Sequence, residues 1–189
     1  GNLKARGQIK INLRDRSYHK VRATLGESVA DIVKLANLYQ CPITVEKLDF
    51  SVKRASMKES GVLYSRMLSN FAYSQFLSML ESRASRWGIQ VIKVNPAYSS
   101  IIGLTKFLKL YGLSSDTAAA LVLARRALYK SERPPARYAR FLPEDRHRHA
   151  WSYWRMLHQK LSSFKRHSFF NGVANSRDEV NLYDEDETR

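Results

Sequence analysis

A single helical stripe constrains this chain more than anything else in it. Between Val62 and Trp87, the residues Tyr64, Leu68, Phe71, Ala72, Met79, Leu80, Ala84 and Trp87 recur along one side of a helix. Gly88 follows at once and can adopt the left-handed conformation that ends helices. The spacing predicts a long amphipathic helix over 62–87. Directly after it, Ile89-Gln90-Val91-Ile92-Lys93-Val94 reads as a strand closed by Asn95-Pro96. The same order occurs upstream. Glu27-Ser28 opens a run in which Val29, Ile32, Val33, Ala36 and Tyr39 return at spacings of three and four. The β-branched segment from Cys41 to Leu48, entered through Pro42, then reads as a strand. Helix followed by strand suggests an α/β layer.

The remaining segments fill in around that layer. Residues 5–13 alternate, with Ile9, Ile11 and Leu13 opposite Lys10 and Asn12, which predicts a half-buried strand. Arg14 to Arg22 is polar and basic, and residues 51–60 read as a polar, basic loop. Ser114 or Ser115 can cap a helix running from Asp116 to Tyr129, ended by Ser131 to Pro135. From Ala136 onward the chain is basic and aromatic, and it fades into an acidic end. No internal repeat is visible. The expected organisation is a core over 1–135, a basic aromatic extension over 136–177, and an acidic, disordered tail over 178–189.

Charge then narrows the partners. The 189 residues carry 32 Lys+Arg against 17 Asp+Glu, a formal net charge of +15. The last twelve residues hold six of the acids and one base, so residues 1–177 hold 31 bases against 11 acids. With 44% apolar residues the body is globular, and a globular body that basic repels itself unless an anion neutralises it. Nucleic acid is the expected partner, because phosphate contacts supply most non-specific affinity. Lys53, Arg54, Arg66, Lys106, Arg125 and Arg126 are the candidate nucleic-acid-binding residues, Arg125 and Arg126 being equally readable as helix-surface residues. Cys41 stands alone, which excludes a disulfide framework or thiolate zinc site and fits a reducing, cytoplasmic setting. No apolar run approaches the ~20 residues of a membrane span, so no membrane partner is expected. The chain opens on Gly1-Asn2 rather than Met, as the end of a hairpin turn in a fragment or processed chain would.

Two carboxylates stand out by position. Glu46 lies near the carboxyl end of a strand, where open α/β sheets place their ligand crevices. Asp116 lies in the first turn of a helix rich in Ala118, Ala119 and Ala120, small enough to lie close against a sheet. Brought together, such acids form an oxygen-ligand site for Mg²⁺ or Mn²⁺. Equally, Glu46 can be a solvated strand residue and Asp116 a carboxylate stabilised by a helix dipole. Asp31, Asp49 and Glu81 read as solvated, and His147-Arg148-His149 as basic surface. There is no Gly-rich phosphate loop and no Ser-His-Asp arrangement.

The ordered segments ITVEKLDF, RMLSNFAYSQFLSMLESRASRWGIQVIKVNPAYSS and GLSSDTAAALVLARRAL resemble the RuvC-like nuclease core of TnpB (OrfB) proteins. These are transposon-encoded nucleases related to type V CRISPR effectors. The matches are the strand from Ile43 to Leu48 with its Glu46, the turn Val94-Asn95-Pro96-Ala97, and Asp116 opening an alanine-rich helix. The resemblance spans about residues 5–135. It implies an RNase H-like (RuvC) α/β fold, with Glu46 and Asp116 as catalytic metal ligands for Mg²⁺ (or Mn²⁺). It also implies DNA and a guide RNA as partners, in RNA-guided DNA cleavage. Two departures matter. The family's first motif, an Asp on the first strand, has no match here, and residues 98–113 lack the cysteines of the zinc ribbon common in the family. In the implied sheet order 3-2-1-4-5, the strands at 5–13, 41–48 and 89–94 would be the third, fourth and fifth. The fold would then be truncated at the N-terminus, lacking its first two strands. It would be inactive alone and dependent on an N-terminal segment supplied in trans. The alternatives are a non-catalytic, basic nucleic-acid-binding module and a decayed transposase remnant.

Overall fold

A computed structural model of the chain describes residues 3–11, 13, 17–48, 62–143 and 148–162, with the backbone alone for 62–71, 140 and 162. The described residues form two compact units, Gly1–Ser131 and Glu132–Arg189.

The first unit is an α/β arrangement around a two-stranded parallel sheet. Helix α1 (Tyr18–Leu38) leads into β1 (Ile43–Glu46), and α2 (Val62–Arg86) leads into β2 (Val91–Val94). The strands pair in parallel, with Ile43 opposite Val91 and Glu46 opposite Val94. Parallel neighbours need a long crossover, and α2 supplies it. Val29 and Val33 of α1 and Leu80 and Ala84 of α2 are at most 1% exposed. Ile43, Val45, Ile89 and Val91 pack against that cluster. Side chains alternate across a strand, which leaves Thr44, Glu46, Ile92 and Val94 for the opposite face. Lys93 reaches back to Glu81 of α2 at 2.6 Å, so Glu81 is ion-paired rather than merely solvated. With both partners half-exposed, that pair contributes ~1 kcal/mol at most.

After β2 the chain makes a compact helical pass. Helix α3 (Ser99–Ile102) continues through a π-helical turn, Gly103–Phe107, into α4 (Leu108–Leu110). Helix α5 (Ser115–Ala127) returns across it and lies against both strands. The expected close approach of the alanines is real, but the π turn receives it. Ala118 is fully buried, and a Cβ on Gly103 would sit 2.7 Å from its carbonyl carbon, so only glycine fits there.

Four helical segments end with the same hydrogen-bond pair. At Gln40, Gly88, Gly112 and Tyr129 the chain turns left-handed, and the next residue's N–H reaches the carbonyl five residues back. Cys41 reaches Ala36, Ile89 reaches Ala84, Leu113 reaches Leu108 and Lys130 reaches Arg125. This satisfies carbonyls that a helix end leaves open.

Several expectations are corrected. Residues 3–11 form neither helix nor strand. Ile9 and Ile11 are 45% and 36% exposed, because among the described residues no neighbouring strand covers the alternating face. Helix α1 starts at Tyr18 rather than near Glu27, since buried Leu25 and half-buried Val21 extend its apolar stripe by two turns into the basic stretch. Tyr39, Trp87 and Tyr129 lie beyond the last helical turns and are 61%, 52% and 97% exposed. The 51–60 loop, the acidic tail, Asp49, His147 and the stripe side chains Tyr64, Leu68 and Phe71 lie outside the described residues.

The second unit contains a 3-10 helix (Ala136–Phe141) and α6 (Ala150–Ser162). Tyr138, Tyr153, Trp154 and Leu157 are buried, and the Trp154 indole donates to the Glu132 carbonyl at 2.6 Å. Among the described residues, no single helix is long and apolar enough to cross a membrane.

Candidate metal and nucleic-acid site

Glu46 closes β1 at its carboxyl end, half-buried and opposite Val94. Tyr73 of α2 donates its hydroxyl to the Glu46 carbonyl oxygen at 2.9 Å. Burial, and secondarily the negative charge of Glu46, push the Tyr73 phenol above its ordinary range. Both effects keep it protonated, as the donor role requires. Sequence reasoning missed this residue. The only available signal was a tyrosine beside the stripe of α2, whose hydroxyl needs a partner once covered.

The chain leaving β2 is fixed by a second set of bonds. Asn95 Oδ1 accepts the Ala97 N–H at 2.8 Å, the local bond that stabilises an Asx turn. Arg126, in the last turn of α5, spans this turn with its guanidinium fork. Nη1 donates to the Asn95 carbonyl and Nη2 donates to the Ala97 carbonyl at 2.6 Å. The Asn-Pro-Ala turn is thereby fastened to the same helix that begins near Asp116.

Asp116 is exposed in the first turn of α5. Ser114, not Ser115, is the cap: its hydroxyl accepts the Thr117 N–H at 3.3 Å. The N-terminal segment reinforces this corner. Gln8 donates to Ser114 Oγ at 2.8 Å, and Arg6 donates to the carbonyls of Tyr111 (3.1 Å) and Gly112. From Asp116 to Arg126 the helix rises about 15 Å. The connection between the carboxylates therefore runs from Glu46, across the ladder to the Asn95 turn, and along α5 to Asp116.

Hard carboxylate oxygens suit Mg²⁺ or Mn²⁺. Among the described residues, no group of three or more His, Cys, Asp or Glu side chains comes together. Glu46 lies by the strand end whose following turn Arg126 clamps, and Asp116 lies at the other end of α5, so these contacts do not bring the two acids together as a clamp on a pair of ions would require.

The basic candidates divide. Arg125 lies over the Phe107 ring at 5.2 Å and Lys106 at 5.8 Å, a favourable placement for a cation on an aromatic face. Arg126 holds the turn, so neither arginine is a spare helix-surface residue. Lys53 and Arg54 lie outside the described residues, as does the side chain of Arg66, whose backbone is in α2. Set beside known proteins, the chain matches no family model, no curated protein and no solved structure.

Proposed function

We propose that this chain is the C-terminal portion of a TnpB-like, RNase H-fold DNA endonuclease. Glu46 and Asp116 are its metal ligands, and a basic body holds nucleic acid. The observation that carries this reading is the physical linkage of the three resembling segments. Glu46 ends β1 opposite Val94, the Asn95–Ala97 turn follows, and Arg126 fastens that turn to the helix opened by Asp116. Brought onto one site, Glu46 and Asp116 would hold Mg²⁺, which would supply electrostatic stabilisation to the oxygens of a phosphodiester. Tyr73 would steady the strand end beneath Glu46. With no group of three or more His, Cys, Asp or Glu side chains among the described residues, the chain alone binds nucleic acid without cutting it. That last point equally favours the second reading, a non-catalytic binding module.

Mn²⁺ titration monitored by water-proton relaxation separates the two. On the proposed reading the chain binds Mn²⁺, and Glu46→Ala and Asp116→Ala each weaken that binding at least tenfold. Oligonucleotide binding in EDTA stays unchanged, and no Mg²⁺-dependent cleavage is seen. Equal Mn²⁺ binding by all three proteins would remove the metal-site reading. Cutting by the chain alone, abolished by either substitution, would refute its incompleteness.

A further inference from the structure

We propose that the outer face of α6, in the C-terminal unit, is a platform for single-stranded nucleic acid. The Trp151 ring stacks on a base, while Arg155 and His158 meet the sugar-phosphate backbone. This surface belongs to a different unit from Glu46 and Asp116, and the inference does not depend on their reading.

The face follows from helical spacing. Trp151, Arg155 and His158 stand at i, i+4 and i+7, so they form one stripe rising about 10 Å. All three are exposed, Trp151 by 37%. The remaining flank and back of α6 carry Trp154, Leu157 and Tyr153, all buried. The position of Trp151 is set by the helix start. His149 Nδ1 accepts the Trp151 backbone N–H at 3.3 Å, and the two rings lie 6.4 Å apart, tilted by 57°. A ring held in place loses little freedom when a base stacks on it.

Charge selects the occupant. Residues 133–162 hold seven Lys+Arg against two acids, Glu144 and Asp145. Among the described residues of that span there is no acid at all. Basic side chains tracking a backbone beside an aromatic stacking surface are the recurring chemistry of single-strand binding. Duplex DNA keeps its bases stacked and offers Trp151 no free π-face. A basic amphipathic helix can also bind anionic membranes, but it does so by inserting its apolar side. Here that side is spent on the protein's own core, and the Trp154 indole is tied to the Glu132 carbonyl.

The test is fluorescence anisotropy of the full chain with fluorescein-labelled oligo(dT) and oligo(rU) of about 16 nucleotides, in EDTA so that no metal site contributes. Trp151→Ala is expected to weaken both on the order of 10-fold, as one lost base stack does, and to leave duplex binding unchanged. Trp151→Phe retains most of the affinity. Arg155→Gln lowers the slope of log K against log salt by about 0.7, one single-strand phosphate contact. Helicity by circular dichroism checks that each variant is folded, and Trp151→Phe and Arg155→Gln carry the test if Trp151→Ala is not. Wild-type affinity in Trp151→Ala overturns the proposal, as does an equal loss on duplex. So does an unchanged salt slope in Arg155→Gln. Binding to phosphatidylserine vesicles that falls in Trp151→Ala, with oligonucleotide binding intact, would assign the face to a membrane instead.

Discussion

The layer between α1, α2 and the strands is held differently from the rim at the strands' carboxyl ends. In the layer, Val29, Val33, Leu80 and Ala84 are sealed from water, and close packing of aliphatic groups does the stabilising. At the rim, Glu46 and the Asn95 turn are half-buried or exposed, as is the start of α5 at the other end of the helix that Arg126 closes. Directed bonds from Tyr73 and Arg126 hold the rim, and bonds from Gln8 and Arg6 hold the start of α5, all to backbone or hydroxyl oxygens. Hydrogen bonds of this kind contribute about 1 kcal/mol each, against several for a sealed side chain. The rim can therefore vary without unfolding the chain, which is where α/β proteins place chemistry.

The largest effect expected is in the layer. Leu80→Ala removes a side chain that is 1% exposed and should cost about 2–5 kcal/mol in urea unfolding, through lost transfer energy and a residual cavity. Mn²⁺ and oligonucleotide binding by the folded fraction should stay as in the parent chain. A selective loss of Mn²⁺ binding in folded Leu80→Ala would show that layer and rim are not separable.

Arg126 is the middle case. Arg126→Gln forfeits a forked, charge-assisted clamp on two carbonyls and should cost about 1–2 kcal/mol. Arg126→Lys should not restore it, because a single ammonium cannot reproduce the planar fork. If the clamp aligns the rim, both variants also weaken Mn²⁺ binding several-fold at temperatures where they remain folded. Full recovery in Arg126→Lys would reduce the role of Arg126 to charge alone.

This contrast also explains what was legible in the sequence. Helix α2, both strands and a serine cap could be read because their signals are local: a stripe, a β-branched run, a Ser before an Asp. The stop at Gly88 follows from the backbone freedom of glycine, and its φ of 66° agrees. The equivalent stops at Gln40 and Tyr129 use side chains that rarely turn left-handed, so α5 was read as continuing to Tyr129. Residues 5–13 had the pattern of a strand, but a pattern cannot state whether a partner exists. The clamp of Arg126 and the bond from Tyr73 were invisible for a further reason. Each ends on a backbone carbonyl, and a carbonyl leaves no residue type to recognise. Glu46 and Asp116 were singled out as candidates by their positions on a strand and a helix, whereas the bonds that link those elements depend on the three-dimensional fold.

The smallest effect expected tests the rim by pH. The Tyr73 phenol is held above its ordinary value near 10, chiefly by burial and then by the charge of Glu46. A raised folded value means that the neutral phenol is the form the fold favours. Its stabilisation is fully present below pH ~10, where the unfolded chain also keeps the proton. It is lost as pH rises through the higher folded value, because the unfolded chain releases its proton first. Tyr73→Phe removes both the bond to the Glu46 carbonyl and this titration, while the other tyrosines contribute alike to both proteins. At neutral pH the variant should be less stable by about 1 kcal/mol, the ordinary worth of one such bond. Between pH ~9 and ~11 the two stabilities should converge, the parent chain losing stability faster. Urea unfolding across that range measures the difference directly. A gap that widens with alkalinity would require the phenolate to be favoured in the fold, and would place Tyr73 beside a cation rather than beside Glu46.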